Sequence, residues 1–507
     1  MQSFLQYRRI KASLIHDVEI KPSTTPAEMK NEETQTSHII VSFENGTDPV
    51  NPLNWSTGKK IQVMSIISLV AFLVGFGSSI DAPVIPQAKD HFGVSAVAES
   101  LATALYLIGF GAGAPFAGPI SETSGRNAVY ISTFALFCIW IMGAALAPNF
   151  GAQLVFRFLA GFCGSTPFTT AGGTLGDIYS PAQRAKLFPS FAFIAFAGPT
   201  LAPVVGGYVG VSGISWRWTE WITLILSGST LVLLFLFLPE TYAPILLKWK
   251  AEHLRTMTRN DQYRAPIELA NHTFLQKVIT ALTRPVTIFF TEPIVVVLTL
   301  YLTFVYSVTF SFFSSYPWIF GETYRLSQGG TYIMFLGIVF GLILVLLLTP
   351  LWGRLLGMEF ARAARNGQGH PPPEAMLWWA MVASPFIPIS LFWMGWSAYP
   401  SVSYWSPLIG SVPFGFALLC IFISTYAYIM QTFAQYAASA LVFVTFVRYI
   451  CGGAMVVVAI PMFENLGVHH AMTILGAVSC LFVPVPFVLY FWGAKIRAKS
   501  RNAPQNH

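Results

Sequence analysis

Charged side chains inside or at the ends of long apolar runs are the residues of this chain with chemistry to do. Glu122 and Arg126 fall in the polar stretch GPISETSGRN (118–127), opposite in sign and wedged between two such runs. Gly118 and Pro119 are expected to break the preceding helix, and Ser121 or Thr123 to cap the next. A turn of this kind, taken alone, is a surface ion pair of little energetic weight. Arg157, in RFLAGFCGS, and Asp177, in GGTLGDIYS, lie towards opposite ends of a later run, and Asp81, in GSSIDAPVIP, closes the first. An ion in hydrocarbon is costly and calls for a partner. Arg157 either snorkels to an interface or finds a partner within the apolar layer; Asp81 is either an interfacial acid or a proton or cation site. Arg448 poses the same alternative near the C-terminus.

The elements that position these charges follow from composition. Of 507 residues, 54% are hydrophobic and 10% charged, against about 25% charged in an ordinary globular protein. Water cannot hold that much apolar surface, so the lipid bilayer is the expected solvent. The net charge of +7 sits in short loops and tails, where membrane orientation requires it, and no nucleic-acid partner is expected. Five cysteines lie inside apolar runs without metal-ligand spacing, so they read as packing residues and no metal site is expected.

Runs long enough to cross the hydrocarbon, about 20 residues each, fall at 61–80, 99–119, 128–147, 153–174, 186–210 and 218–238, then at 291–316, 331–350, 376–397, 404–430, 434–463 and 470–492. The expected fold is therefore an all-α membrane protein of twelve transmembrane helices in two six-helix bundles. Residues 1–58 read as a disordered tail, 59–238 and 291–493 as the bundles, 239–290 as a central loop and 494–507 as a C-terminal tail. The central loop begins PETYAPILLKWKAEHLR, basic and amphipathic, and is expected to lie on the membrane surface. Lysine and arginine are sparse on one face, which has only Lys89, Arg217 and Arg325. Both termini are therefore expected in the cytoplasm.

In their order and spacing these motifs resemble the major facilitator superfamily, in its fungal branch of twelve-span drug:proton antiporters. The resemblance runs from Asn51 to Arg497. GPISETSGRN resembles the loop that controls the inner gate, with Ser121-Glu122 standing where many members have an acid followed by arginine. Asp177 resembles the acid that partners that loop, which implies a three-way contact of Glu122, Arg126 and Asp177. Arg157 resembles the arginine kept in the fourth span. Gly198, Pro199, Pro203, Gly206 and Gly207, in AGPTLAPVVGGYV, resemble the antiporter signature that kinks the fifth span against the other half; Ala202 stands where a glycine is usual. Gly77 with Pro83, Val84 and Pro86 resembles the first-span signature of these exporters. WRWTEWI, PET and LGVHHAMTILG add weaker likenesses. Gln431 stands where many relatives carry an aspartate, which weighs against polycation export.

The resemblance implies a proton-coupled exporter of hydrophobic or amphipathic small molecules, working by alternating access as a monomer in a plasma membrane. Organic-acid, polyamine and nutrient transport are the alternatives, with a non-transporting sensor behind them. An aromatic substrate cavity is expected from Tyr106, Tyr301, Tyr306, Phe310, Phe313, Phe414, Tyr426 and Gln431. No paired catalytic carboxylates, nucleophile elbow or phosphate loop occurs, so neither enzyme activity nor a cofactor is expected, and the proton gradient is left as the energy source.

Overall fold

A computed structural model describes residues 1–20, 28–29, 38–43, 48–269, 274–365, 367, 371–433, 436–498 and 500. Among them, ten helical runs are long and apolar enough to cross a bilayer. One of these, Ala437–Arg497, has 61 residues, about 90 Å of helix against a hydrocarbon core of about 30 Å. It turns back at Gly467 (φ 71°, ψ 170°), a conformation suited to glycine, and so makes two crossings. A further crossing is broken in line at Ser165, between Phe150–Gly164 and Thr166–Ile178.

Twelve spans result. The first six are Thr57–Gly77, Ala96–Ser124, Arg126–Ala145, the broken pair just described, Pro181–Val211 and Trp218–Phe237. The seventh is Pro293–Tyr316; the eighth is Leu336–Arg365, preceded by the short helix Gln328–Ile333. The ninth is Trp378–Ala383 with Phe386–Ser397, the tenth Trp405–Thr432. The eleventh and twelfth are 437–466 and 468–497. Starts are set by local chemistry: Ser95 and Asn149 cap spans 2 and 4, and Ser180 with Gln183 forms a capping box ahead of Pro181 in span 5.

The two halves pack alike. Span 1 lies on span 5 and span 7 on span 11; span 2 lies on span 4 and span 8 on span 10; span 3 touches 4 and 6 as span 9 touches 10 and 12. The halves meet through span 2 on span 11 and span 5 on spans 8 and 10. Small residues allow that approach: at Gly111 and Gly453 the backbones of spans 2 and 11 close to within a side chain's thickness.

Three expectations need correction. Part of the tail expected to be disordered is the helix Gln2–Ile20, whose Ile10 and Leu14 bury Leu246 of the helix Ala243–Thr258. That second helix is the basic stretch expected on the membrane surface, and its apolar side is already covered by protein. Farther along, His38–Ile40 pairs in parallel with Tyr263–Arg264, and Arg255 holds Glu268 at 2.9 Å. Finally, Gly118 and Pro119 do not break span 2, which continues to Ser124; the connection to span 3 is the single residue Gly125 at φ 90°.

Candidate functional site

Arg157 is wholly buried in the first half. Its Nη1 donates to the Gly77 carbonyl (2.9 Å) and to Glu220 Oε1 (3.2 Å), while Nη2 lies 3.2 Å from Asp81 Oδ2. The guanidinium also lies 4.8 Å from the centre of the Tyr106 ring, whose hydroxyl donates to the Val74 carbonyl at 2.7 Å. The end of span 1, span 4 and span 6 thus bring two carboxylates to one cation. Glu220 Oε2 and Asp81 Oδ1 have no hydrogen-bond partner, which leaves room for a shared proton. Nearby, Glu99 accepts from Gln153 at 2.9 Å. Asp81 and Arg157 are paired in the protein interior, so neither is an interfacial snorkeller. Glu220 sits in WRWTEWI, and its place in an apolar run was the signal that it needs a partner.

Span 5 carries the five glycine and proline positions. Pro203 has no N–H to offer the Pro199 carbonyl one turn back, and the Ser79 hydroxyl donates to that carbonyl at 2.8 Å instead. Gly198 and Gly206 pack on the carbonyls of Phe72 and Ile80, and Gly75 faces Pro199. These contacts are with span 1 of the same half. The motif reaches the other half at Gly207, which meets Tyr332, and at Pro199, which faces the void between the halves; Gly198 and Gly206 pack within their own half.

Beyond that end the face opposite the termini is sealed. Gln87 donates to the Gly210 carbonyl (3.0 Å) and to Gln328 Oε1 (2.8 Å), and Gln328 donates to the Pro83 carbonyl. One glutamine belongs to each half.

Between the halves, Tyr306, Phe310 and Tyr449 with Val74, Phe110 and Pro199 enclose a void with room for little more than one water. A cleft of about 290 Å³ opens towards the termini, lined by Arg184, Phe188, Trp352, Ile423, Ser424 and Gln431 among others. Rings close the passage between them: Phe196 meets Tyr306 and Phe422 edge-on, and Phe188 stacks on Phe422 and Tyr426. Arg448 lies among these rings, 4.3 Å from the centre of Tyr306.

Of the residues expected to line a cavity, Tyr306 and Phe310 face the void, Tyr426 stands in the ring plug and Gln431 lines the cleft, where it donates to the Pro371 carbonyl. Four others do not. Tyr106 serves Arg157. Tyr301 stacks on Phe482, Phe313 packs on Phe335 and Phe414 on Phe312, all inside the second half.

On the face of the termini, Arg126 pairs with Asp177 at 3.2 Å and donates to Ser121. Glu122 is exposed and forms no ion pair among the described residues, which corrects the three-way contact. Its place is taken by Glu240 of PET. The Glu240 carboxylate accepts the backbone N–H groups of Arg126 (2.9 Å) and Asn127 (3.1 Å) and so caps span 3. Its Oε1 also takes those of Thr241 and Tyr242, both at 2.9 Å. Burial holds the Glu240 carboxyl above its ordinary value, although these four donors pull it down. A Cβ at residue 125 would strike that carboxylate, so glycine is required there twice over. Neither Ser121 nor Thr123 caps span 3; both hydroxyls bond back within span 2. Among the described residues no cluster of histidine, cysteine or acidic side chains is arranged to hold a metal.

The profile of the Major Facilitator Superfamily matches residues 67–456. The chain is 47% identical to the MFS-type transporter kojT of Aspergillus flavus, over 92% of this chain and 83% of that one. It is 33% identical to the citrinin biosynthesis cluster MFS transporter mrr1 of Monascus ruber, over 93% and 94%. In fold it is similar to the partially occluded inward open conformation of the xylose transporter XylE from E. coli (TM-score 0.61, 14% identity, 86% of this chain and 98% of that one).

Proposed function

This chain belongs to the major facilitator superfamily, a family of membrane transporters and not of enzymes, and we propose that it is a proton-coupled exporter of hydrophobic or amphipathic small molecules. The substrate is a toxic compound or a secondary metabolite, and the protein works as a monomer in a fungal plasma membrane with both termini in the cytoplasm. The reading rests most on the cluster of Asp81, Arg157 and Glu220. Two carboxylates against one guanidinium leave a negative charge in excess, which the interior does not tolerate. One proton held between the acids removes that excess, and its arrival and departure change how spans 1, 4 and 6 hold together.

Substrate enters the cleft from the cytoplasm while the Gln87–Gln328 seal holds the far face shut. Parting of the ring plug admits it to the level of Tyr306 and Phe310. Rocking of the halves about the span 2–11 and 5–8 contacts then closes the cleft and opens the far face. A proton taken up by the acids returns the protein to the cleft-open state, and energy comes from the gradient alone, with no bound cofactor. Similarity to the citrinin cluster transporter supports a secondary metabolite as cargo. The test is transport by the purified protein in vesicles under an imposed pH gradient. Uptake against the substrate gradient that vanishes when the pH difference is collapsed is expected; flux indifferent to the collapse rejects proton coupling.

A further inference from the structure

Among the described residues Arg448 is the second wholly buried arginine, and its surroundings differ from those of Arg157. Four rings face the guanidinium, with centres 4.3 Å (Tyr306), 4.9 Å (Tyr449), 5.2 Å (Phe422) and 5.5 Å (Tyr426) away. Its Nε and Nη1 have no hydrogen-bond partner. Among the described residues no carboxylate pairs with it; the groups turned to it from spans 7, 10 and 11 are aromatic. Ring faces offset part of the cost of a desolvated cation, but they leave Nε and Nη1 unsatisfied, and a buried charge in that state is unstable until something completes it.

The position says what completes it. Tyr306 and Tyr449 also line the central void, and Phe422 and Tyr426 flank residues of span 10 that line the cleft. Arg448 therefore stands inside the plug that any cargo moving from cleft to void must part. The cleft is biased in the same direction, because Arg184 is the one charged residue among its described lining. Among the described lining, a molecule on this route meets a cation at the mouth, a cation at the plug and no acid.

We infer that the transported substrate is a planar, conjugated small molecule carrying an acidic oxygen, bound as the anion with that oxygen on Arg448 and its ring between Tyr306, Phe422 and Tyr426. A guanidinium satisfies an anionic oxygen through short charge-assisted bonds, and the rings that now stack on one another stack on the substrate instead. A cationic or purely apolar compound leaves the Arg448 donors empty and is discriminated against. The inference rests on the transport reading above and narrows its substrate class.

The test compares three probes of one shape on the full-length protein in nanodiscs: 2-naphthoate, its neutral methyl ester and 2-naphthyltrimethylammonium. Binding is read by equilibrium dialysis without any gradient, so that loss of proton coupling and loss of charge preference are separate outcomes. The acid is expected to bind at least about tenfold more tightly than the ester, and the cation least. Arg448→Gln is expected to erase the preference for acid over ester, and Arg448→Lys to keep part of it. Arg184→Gln lies at the partly exposed mouth, does not depend on the interior folding around a lost arginine, and is expected to weaken naphthoate binding while leaving the ester unchanged. Equal binding of acid and ester by the unaltered protein, or an Arg448→Gln variant that keeps the ranking, overturns the inference.

Discussion

Arg157 and Glu220 meet at 3.2 Å with neither side chain reaching solvent, and Asp81 closes on the same guanidinium from another side. Neutralising one acid and removing the cation should therefore have opposite consequences. Glu220→Gln leaves one carboxylate with one guanidinium and keeps the shape, so it is expected to insert and fold but to lose gradient-driven transport by about tenfold or more. Arg157→Gln strands two acids in the interior, costs about 3–5 kcal/mol and is expected to prevent accumulation. A pH-sensitive dye trapped in vesicles reports the proton movement. Substrate-driven proton flux undiminished in Glu220→Gln counts against the coupling role.

The seal on the far face joins Gln87 of one half to Gln328 of the other. Gln328→Ala removes its donors without touching a charge. At least two bonds between the halves are lost, one accepted from Gln87 and one donated to the Pro83 carbonyl; each is worth about 0.5–1.5 kcal/mol, so the outward-open population should rise by about five- to 150-fold. Labelling of a cysteine placed on the void side of Gln87 by an impermeant reagent added from the far face measures this. An unchanged labelling rate would show that the glutamines do not hold the face shut.

Glu240 caps span 3, and its loss should be felt as stability rather than as turnover. Glu240→Ala leaves the N–H groups of Arg126 and Asn127 without an acceptor and is expected to lower stability by about 1–3 kcal/mol. Because burial holds the folded carboxyl above its ordinary value of 4.5, the folded protein keeps this proton at pH values where the unfolded chain has released it. This group's contribution therefore falls as pH rises from the ordinary value through the raised one, and is constant above it. Glu240→Gln should flatten that part of the profile. Thermal unfolding in detergent across this pH range, read for both variants, decides the matter.

Ser79 and Gly198 test the prolines of span 5. Ser79→Ala orphans the Pro199 carbonyl that Pro203 cannot serve and is expected to cost about 1–2 kcal/mol. Gly198→Ala pushes a methyl into the Phe72 carbonyl, and overpacking of this kind costs about 1–3 kcal/mol. Melting temperatures of the two variants and of the pair settle it. Both changes act on the same contact of spans 1 and 5, so the pair is expected to fall short of the sum.

Much of this was legible before any coordinates. Twelve crossings follow from apolar length alone, and the isolated charges of Arg157 and Asp81 announced that each needed a partner. The facing of rings was not legible. Tyr301 and Phe414 lie on helices apolar all round, where period and polarity carry no information about which side meets lipid, void or neighbour. Glu122 misled because sequence proximity to Arg126 outranked Glu240, which comes from more than a hundred positions away. The tail helix Gln2–Ile20 has polar composition, and its order comes from a partner, the helix Ala243–Thr258, that no local pattern names. Pro119 ought to end a helix by local rules, yet span 2 runs through it to Ser124, as helices in a membrane bundle tolerate.

The cleft that ends at Phe188 and Ile423 is also the place where a compound could jam the cycle. A rigid molecule too wide to pass the rings would hold spans 5, 8 and 10 apart and arrest the rocking at its starting position. It would have to arrive from the side of the termini. On the orientation and direction of transport proposed above, an inhibitor offered to intact cells must then be permeant enough to cross the bilayer first, and must withstand export by its own target.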